Sequence, residues 1–235
     1  MSVTKKITVC IICFTFFFCS CIFGTEAPRY LITNATAENE KTVIVDAGHG
    51  GFDGGAVADD GTPEKDINLS IALKLSALLK LHGYNVIMTR TTDTGTELDS
   101  SESIAKRKKS DMGERLRIIN ENPEAIFVSI HLNKFTTSSA VGAQVFYSPN
   151  DARSMALGLS LQKTIKLLLQ TENERTIKKA TKSTYLLYKA NIPAVIVECG
   201  FLSNNEERSM LMDDEYQSKL SQSITKGIIE YFSNM

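Results

Sequence analysis

Three short apolar runs, each leading into a residue able to donate an electron pair, constrain this chain more than any other feature. The run 43-VIVD-46 opens onto His49, 125-AIFVSIH-131 ends in His131, and 193-PAVIVECGF-201 reaches Glu198 after Val195-Ile196-Val197. Runs of this length, rich in β-branched residues and bounded by Gly, Pro or polar positions, read as buried strands. Helical patterns lie between them. Residues 66–86 carry Ile67, Ile71, Leu75, Leu78 and Leu79 at helix-face spacing, and Gly83 closes that helix as a C-terminal cap. Further helices are expected over roughly 111–121, 152–170 and 206–233, the last with Leu211, Leu220, Ile224, Ile228 and Phe232 inward. Segments 84–90 and 142–148 read as strands and 184-TYLLYK-189 as an additional short one, while the polar stretch 91–110 reads as a flexible surface loop. This alternation predicts an α/β fold, a single domain with a mostly parallel or mixed twisted sheet and helices on both faces. Ligands of such sheets bind beyond the carboxyl ends of the strands, and there the expected strands deliver His49, His131 and Glu198.

With 235 residues and 43% apolar content, the chain can bury one good-sized core and needs no second domain. The opening 27 residues carry Lys5 and Lys6, then an uncharged apolar run from Ile7 to Phe18, then small residues, the layout of a secretory signal. That run is too short to span a membrane comfortably. Cleavage fits near Gly24 or Ala27, with Pro28 awkward for the latter; alternatively Cys21 is an imperfect lipoprotein site, a possible lipid anchor. The expected division is therefore 1–27 signal peptide, 28–41 linker and 42–234 catalytic domain. Cys10, Cys13, Cys19 and Cys21 all lie in the leader, so the mature domain keeps only Cys199 and can form no internal disulfide. Removing the two leader lysines leaves 24 basic against 27 acidic residues, a net of −3, which argues against nucleic acid as partner.

Gly48, Gly50, Gly51, Gly54 and Gly55 surround His49 and read as a tight exposed loop built around a ligand or ion, although a plain glycine-rich turn with one solvent histidine gives the same letters. A catalytic zinc ion commonly takes His2Glu ligands and keeps a fourth position for water. His49 and His131 supply two nitrogens, and Glu64, where the following helix starts, is the candidate third ligand. Each also has an ordinary reading, Glu64 as an acidic residue favoured by a helix N-terminus and His131 as a hydrogen-bonded core histidine. The combination, in a chain with only three histidines, points to metal. An ionised carboxylate after Val195-Ile196-Val197 is costly unless a cation or donor receives it. Beside zinc, Glu198 can act as general base and then acid; as a fourth ligand it would close the site. The base is preferred, since the glycine loop leaves room for a substrate. Arg115, Asn120 and Asn133 read as helix or loop surface, Cys199 as a small packed residue and His82 as solvated.

The segments 45-VDAGHGG-51, 64-EKD-66, 127-FVSIHLN-133 and 197-VECGFLSN-204, in this order, resemble the zinc-dependent N-acetylmuramoyl-L-alanine amidases of the cell-wall (amidase_3) type, over residues 43–232. The resemblance implies that His49, Glu64 and His131 bind zinc, that Glu198 is catalytic, and that Arg115 and Asn120 belong to a weaker motif, 114-ERLRIIN-120. Ala47 and Cys199 replace the proline and leucine usual at their positions. The implied reaction is hydrolysis of the amide between N-acetylmuramic acid and L-alanine in peptidoglycan or its precursors, by an enzyme exported to the periplasm or cell envelope. Three rivals remain: a zinc peptidase acting on the same wall, a non-catalytic wall-binding protein, and a serine acyl-enzyme using Ser103-x-x-Lys106 or Ser223-x-x-Lys226, with Ser203-Asn204-Asn205 loosely echoing S-D-N but no K-T-G. In the family this chain resembles, members that await an activator carry an extra helical insertion after the second histidine. The 66 residues between His131 and Glu198 are all assigned to a loop at 134–141, a strand, one long helix, a basic turn from Arg175 to Lys182 and the strands leading to Glu198, so no obligatory activator is expected.

Overall fold

A computed structural model describes residues 41–96 and 103–235. The expected signal peptide, Cys21 and all but the last residue of the linker lie outside the described residues. Six strands form one mixed sheet in the order β2-β1-β3-β6-β4-β5. They are β1 (Thr42–Ala47), β2 (Asn85–Met88), β3 (Ile126–Asn133), β4 (Gln144–Tyr147), β5 (Lys178–Lys179) and β6 (Ala194–Phe201). β1 is parallel to β2 and β3, and β3 to β6; β4 runs antiparallel to β6 and parallel to β5. The helices are α1 (Glu64–Leu81), α2 (Ile104–Asn120), α3 (Arg153–Leu168), α4 (Tyr185–Lys189), α5 (Asn205–Met212) and α6 (Asp214–Ser233).

The period-2 alternation of the strands gives the sheet two buried faces. Val43, Val45, Val128, Val195 and Val197 pack with Ile71 and Leu75 of α1, Leu157 and Leu161 of α3, and Leu220 and Ile224 of α6. Ile44, Phe127 and Ile196 point the other way, onto Ile119 of α2 and Leu186 and Leu187 of α4. The expected α/β class with helices on both faces is the one observed. None of the described helices is long and apolar enough to cross a membrane.

Several local expectations change. The stretch 184–189 is the helix α4, not a strand: adjacent Leu186 and Leu187 are both buried in one cluster, which a strand directing neighbours to opposite faces cannot achieve. Helix α2 starts at Ile104, seven residues before the expected boundary and inside the stretch read as loop. The part of that stretch from 91 to 96 is tied down, with Gly51 N donating to Asp93 Oδ1 (2.9 Å), Lys65 Nζ to Asp93 Oδ2 (2.7 Å) and Thr96 N to Asp111 Oδ1 (2.8 Å). The C-terminal helical stretch is two helices, because extended Asp213 caps α6 by accepting from Tyr216 N at 2.8 Å. The basic turn contains the short edge strand β5, and Tyr231 is more deeply buried than Phe232. Finally, β3 and β6 continue past His131 and Glu198, which sit within the strands rather than at their ends.

Candidate metal centre

At the exit of β1 the chain turns through His49, whose φ of 62° makes it the one non-glycine residue with positive φ among the described residues. Its imidazole is held at both nitrogens: Nδ1 lies 2.9 Å from Asp53 Oδ2, and Nε2 3.3 Å from Glu64 Oε2. Glu64, the first residue of α1, is 3% exposed. Its carboxylate accepts from Ala56 N (2.9 Å), Leu132 N (3.0 Å) and Asn68 Nδ2 (3.1 Å) and faces His131 Nδ1 at 3.0 Å. The two imidazole rings meet edge to face, their centroids 4.9 Å apart.

The structure therefore brings together all three residues expected as ligands, each offering a donor atom within 4.8 Å of the others. A tetrahedral ion with ligands at about 2.0–2.1 Å separates them by about 3.3 Å, which the His49–Glu64 distance of 3.3 Å matches. The donor set fits zinc.

Two glycines explain the loop's composition. A Cβ on Gly48 would lie 2.3 Å from His131 Nε2, and one on Gly55, at φ +70°, would lie 2.6 Å from both Glu64 Oε2 and His49 Cδ2. The glycines are where the backbone passes within contact of the donor side chains, a closeness no other residue permits.

Glu198 stands across the β3–β6 ladder from His131, and its Oε2 is buried without a hydrogen-bond partner among the described residues. Burial pushes this carboxyl up; His131 pulls it down, Glu64 adds to the rise and His49 opposes it. By contrast, Glu64 is held well below the usual carboxylate range, because His131 and His49 outweigh the cost of burying it. His49 is pushed up to about 9: burial opposes its charge, but Asp53 and Glu64 prevail. One carboxylate is thus fixed as an anion among donors, and another is left poised to take up a proton.

Of the weaker candidates, Arg115 is 2% exposed and reaches the site through His49's backbone. Asn120 is exposed at the end of α2 and Asn133 half-buried at the end of β3. Cys199 is fully buried, its thiol pushed up by burial and by Glu198 and Glu64; His82 is exposed at the end of α1. Ser223 is buried with its hydroxyl donating to Lys219 O (2.9 Å), while Lys226 turns to Glu230 (3.8 Å), so both side chains of this S-x-x-K are spent on contacts within their own helix. Sequence reasoning missed Asp46, Asp53, Arg90 and Asp111. Asp53 sits four residues past His49 in the glycine loop and Asp111 four residues before Arg115 on one helix, spacings that could have found them; Asp46 and Arg90 make contacts between segments distant in sequence.

A mixed α/β sheet that gathers a His2Glu donor set able to hold a metal ion, beside a carboxylate whose Oε2 has no hydrogen-bond partner among the described residues, is an arrangement suited to metal-assisted hydrolysis. Comparison with known proteins makes this specific: the chain belongs to the N-acetylmuramoyl-L-alanine amidase family, Amidase_3, which matches residues 43–230. It is 35% identical over 195 residues to the germination-specific N-acetylmuramoyl-L-alanine amidase of Bacillus subtilis, covering 82% of this chain and 80% of that protein. Among solved structures, the CwlD amidase of Clostridioides difficile, in complex with the GerS lipoprotein, is 41% identical with a TM-score of 0.79, covering 83% of this chain and 100% of that one. The amidase AmiC2 of Nostoc punctiforme is 30% identical with a TM-score of 0.71, covering 83% and 98% respectively. The chain is accordingly a peptidoglycan amidase.

Proposed function

We propose that this enzyme is an exported, zinc-dependent hydrolase that cleaves the amide between N-acetylmuramic acid and L-alanine, with His49, Glu64 and His131 as zinc ligands and Glu198 as the general base and acid. The observation that carries the reading is the unpartnered Oε2 of Glu198 beside three converging donors. Zinc held there would supply Lewis acidity to the amide carbonyl and to water. Glu198, with its raised proton affinity, takes the proton of the attacking water and returns it to the departing amine of L-alanine. Glu64 contributes fixed negative charge, while Asp53 accepts from His49 Nδ1 and so leaves Nε2 as the lone-pair donor toward the centre.

Residues 1–27 serve as the export signal, with Cys21 as an alternative lipid-attachment point, 28–41 as linker and 42–234 as the catalytic domain, acting in the periplasm or cell envelope in wall remodelling or division. The lipoprotein partner of the Clostridioides relative supports an envelope setting. The decisive experiment is mass spectrometry of digested peptidoglycan. Release of intact stem peptides beginning at L-alanine, abolished by chelation and restored by zinc, is the expected result; shortened stems still attached to glycan would identify a peptidase instead.

A further inference from the structure

His49 adopts its left-handed backbone without being glycine, so something must hold it there. The chain entering this turn offers three successive carbonyls, Ala47, Gly48 and His49, and all three accept from arginine side chains. Arg90 takes Ala47 O through Nε (2.9 Å) and Gly48 O through Nη2 (3.0 Å), reaching on to Lys65 O (2.8 Å). Arg115 takes Ala47 O through Nη1 (3.0 Å) and, alone of the two, His49 O through Nη2 (2.7 Å). Its guanidinium is fixed from behind by Asp111, which accepts from Nε at 2.9 Å, and by Asp46, which accepts from Nη1. Asp46 is itself immobilised by Ser129 Oγ (2.5 Å) and Thr89 Oγ1 (2.7 Å), so the chain of contacts ends in the sheet.

We propose that Arg115 is a positioning residue for the metal centre: it grips the His49 carbonyl from beneath, holding the backbone left-handed and the imidazole turned toward Glu64 and His131. The inference rests on reading the His49–Glu64–His131 cluster as the zinc site. A purely structural ion pair would need only Asp46 and Asp111. The planar guanidinium does more, because its five donors let it engage both carboxylates and two main-chain carbonyls at once, which an ammonium cannot do. Arg115→Lys keeps the buried positive charge but cannot reproduce that spread of contacts.

The test is zinc affinity measured by chelator competition on the purified full chain, with the visible spectrum of the cobalt-substituted protein as a readout of ligand geometry. Arg115→Lys is expected to weaken zinc binding by at least about tenfold, in line with the effect of losing an outer-shell support, and to change the cobalt bands. Turnover at saturating zinc should recover most of the way to wild type. Asp111→Asn, which loosens the guanidinium while leaving its bond to Asp46, should produce a smaller loss and provides the test if Arg115→Lys does not fold. Unchanged zinc affinity and cobalt spectrum in a folded Arg115→Lys would overturn the proposal, as would an unchanged Asp111→Asn where the lysine variant is unfolded. Failure of the wild-type chain to bind zinc would instead overturn the reading of the cluster.

Discussion

Glu198 and His131 are register partners on adjacent parallel strands, so the backbone ladder itself sets their side chains beside one another. Among the described residues nothing donates to Glu198 Oε2, and of the cluster beside it His131 and His49 favour the ionised carboxylate while Glu64 opposes it. For Glu198→Gln we expect zinc retained at one equivalent, since the three ligands are untouched, and kcat lowered by about 10²–10⁴-fold, the usual worth of a general acid–base group. Metal analysis and turnover on the same preparation decide this, and loss of zinc would make Glu198 a ligand.

Proton linkage gives a second expectation. In the metal-free protein His49 is raised from 6.5 to about 9, so folding takes up a proton there at neutral pH. The stability from this group is full below about 6.5 and is lost as pH rises toward 9. Glu64 and Asp53 are both lowered and act in another window, contributing above the ordinary carboxylate range and failing only in acid. The metal-free protein should therefore lose thermal stability between pH 6.5 and 9. Zinc, which needs a neutral imidazole, should displace about one proton per ion at pH 7–8. Calorimetric titration in buffers of different ionisation heat measures that proton, and no buffer dependence would contradict the geometry around His49.

The loop glycines make a matched comparison. A Cβ on Gly48 runs into the His131 ring at 2.3 Å, whereas one on Gly54 meets only Pro63 Cβ at 3.9 Å, an ordinary contact. Gly48→Ala should displace His131 and weaken zinc binding by about tenfold or more, a loss comparable to removing an outer-shell support. Gly54→Ala should leave zinc affinity and activity near wild type. Equal behaviour of the two in zinc titration would mean that the close packing of His131 on Gly48 is dispensable.

The parts of this fold legible in the sequence are those governed by a period or a neighbour. Strands β1, β3 and β6 announced themselves as apolar runs, and α1 through Ile67, Ile71, Leu75 and Leu79, because burial of a face repeats at fixed spacing. The candidate ligands were legible for the same reason, being delivered by those elements. What remained hidden depends on contacts across the chain. Nothing local marks Arg90 or Arg115 as grips on the same loop, since their targets lie 42 and 66 residues away. The start of α2 was masked by its run of lysines and arginines, which offers little apolar face; Lys108 there pairs with Asp53 at 3.1 Å. In α4, five residues of mixed apolar and polar character fit either period, and only the packing of Leu186 and Leu187 decides for a helix.

Access to the site yields the last expectation. The side chains of His49 and His131 retain 24% and 21% of their exposure, so a substrate amide can reach the donors from solvent. Between His131 and Glu198 the chain is committed to the sheet and to α3 and α4, and its first stretch is pinned elsewhere. Lys134 Nζ donates to Val57 O (2.6 Å), Asn204 Nδ2 to Ser138 O (2.8 Å) and Gly142 N to Glu207 Oε1 (2.7 Å). Freeing that stretch to swing over the cluster would forfeit these bonds and strip Glu207 Oε1 of the Gly142 N–H, leaving this buried carboxylate only the donor Phe201 N on its other oxygen, a costly exchange. The purified zinc-loaded protein should therefore hydrolyse isolated peptidoglycan with no added protein, as read by release of free stem peptide. Inactivity of the zinc-loaded protein that a purified partner relieves would overturn this expectation and show that closure is imposed from outside the stretch between β3 and β6.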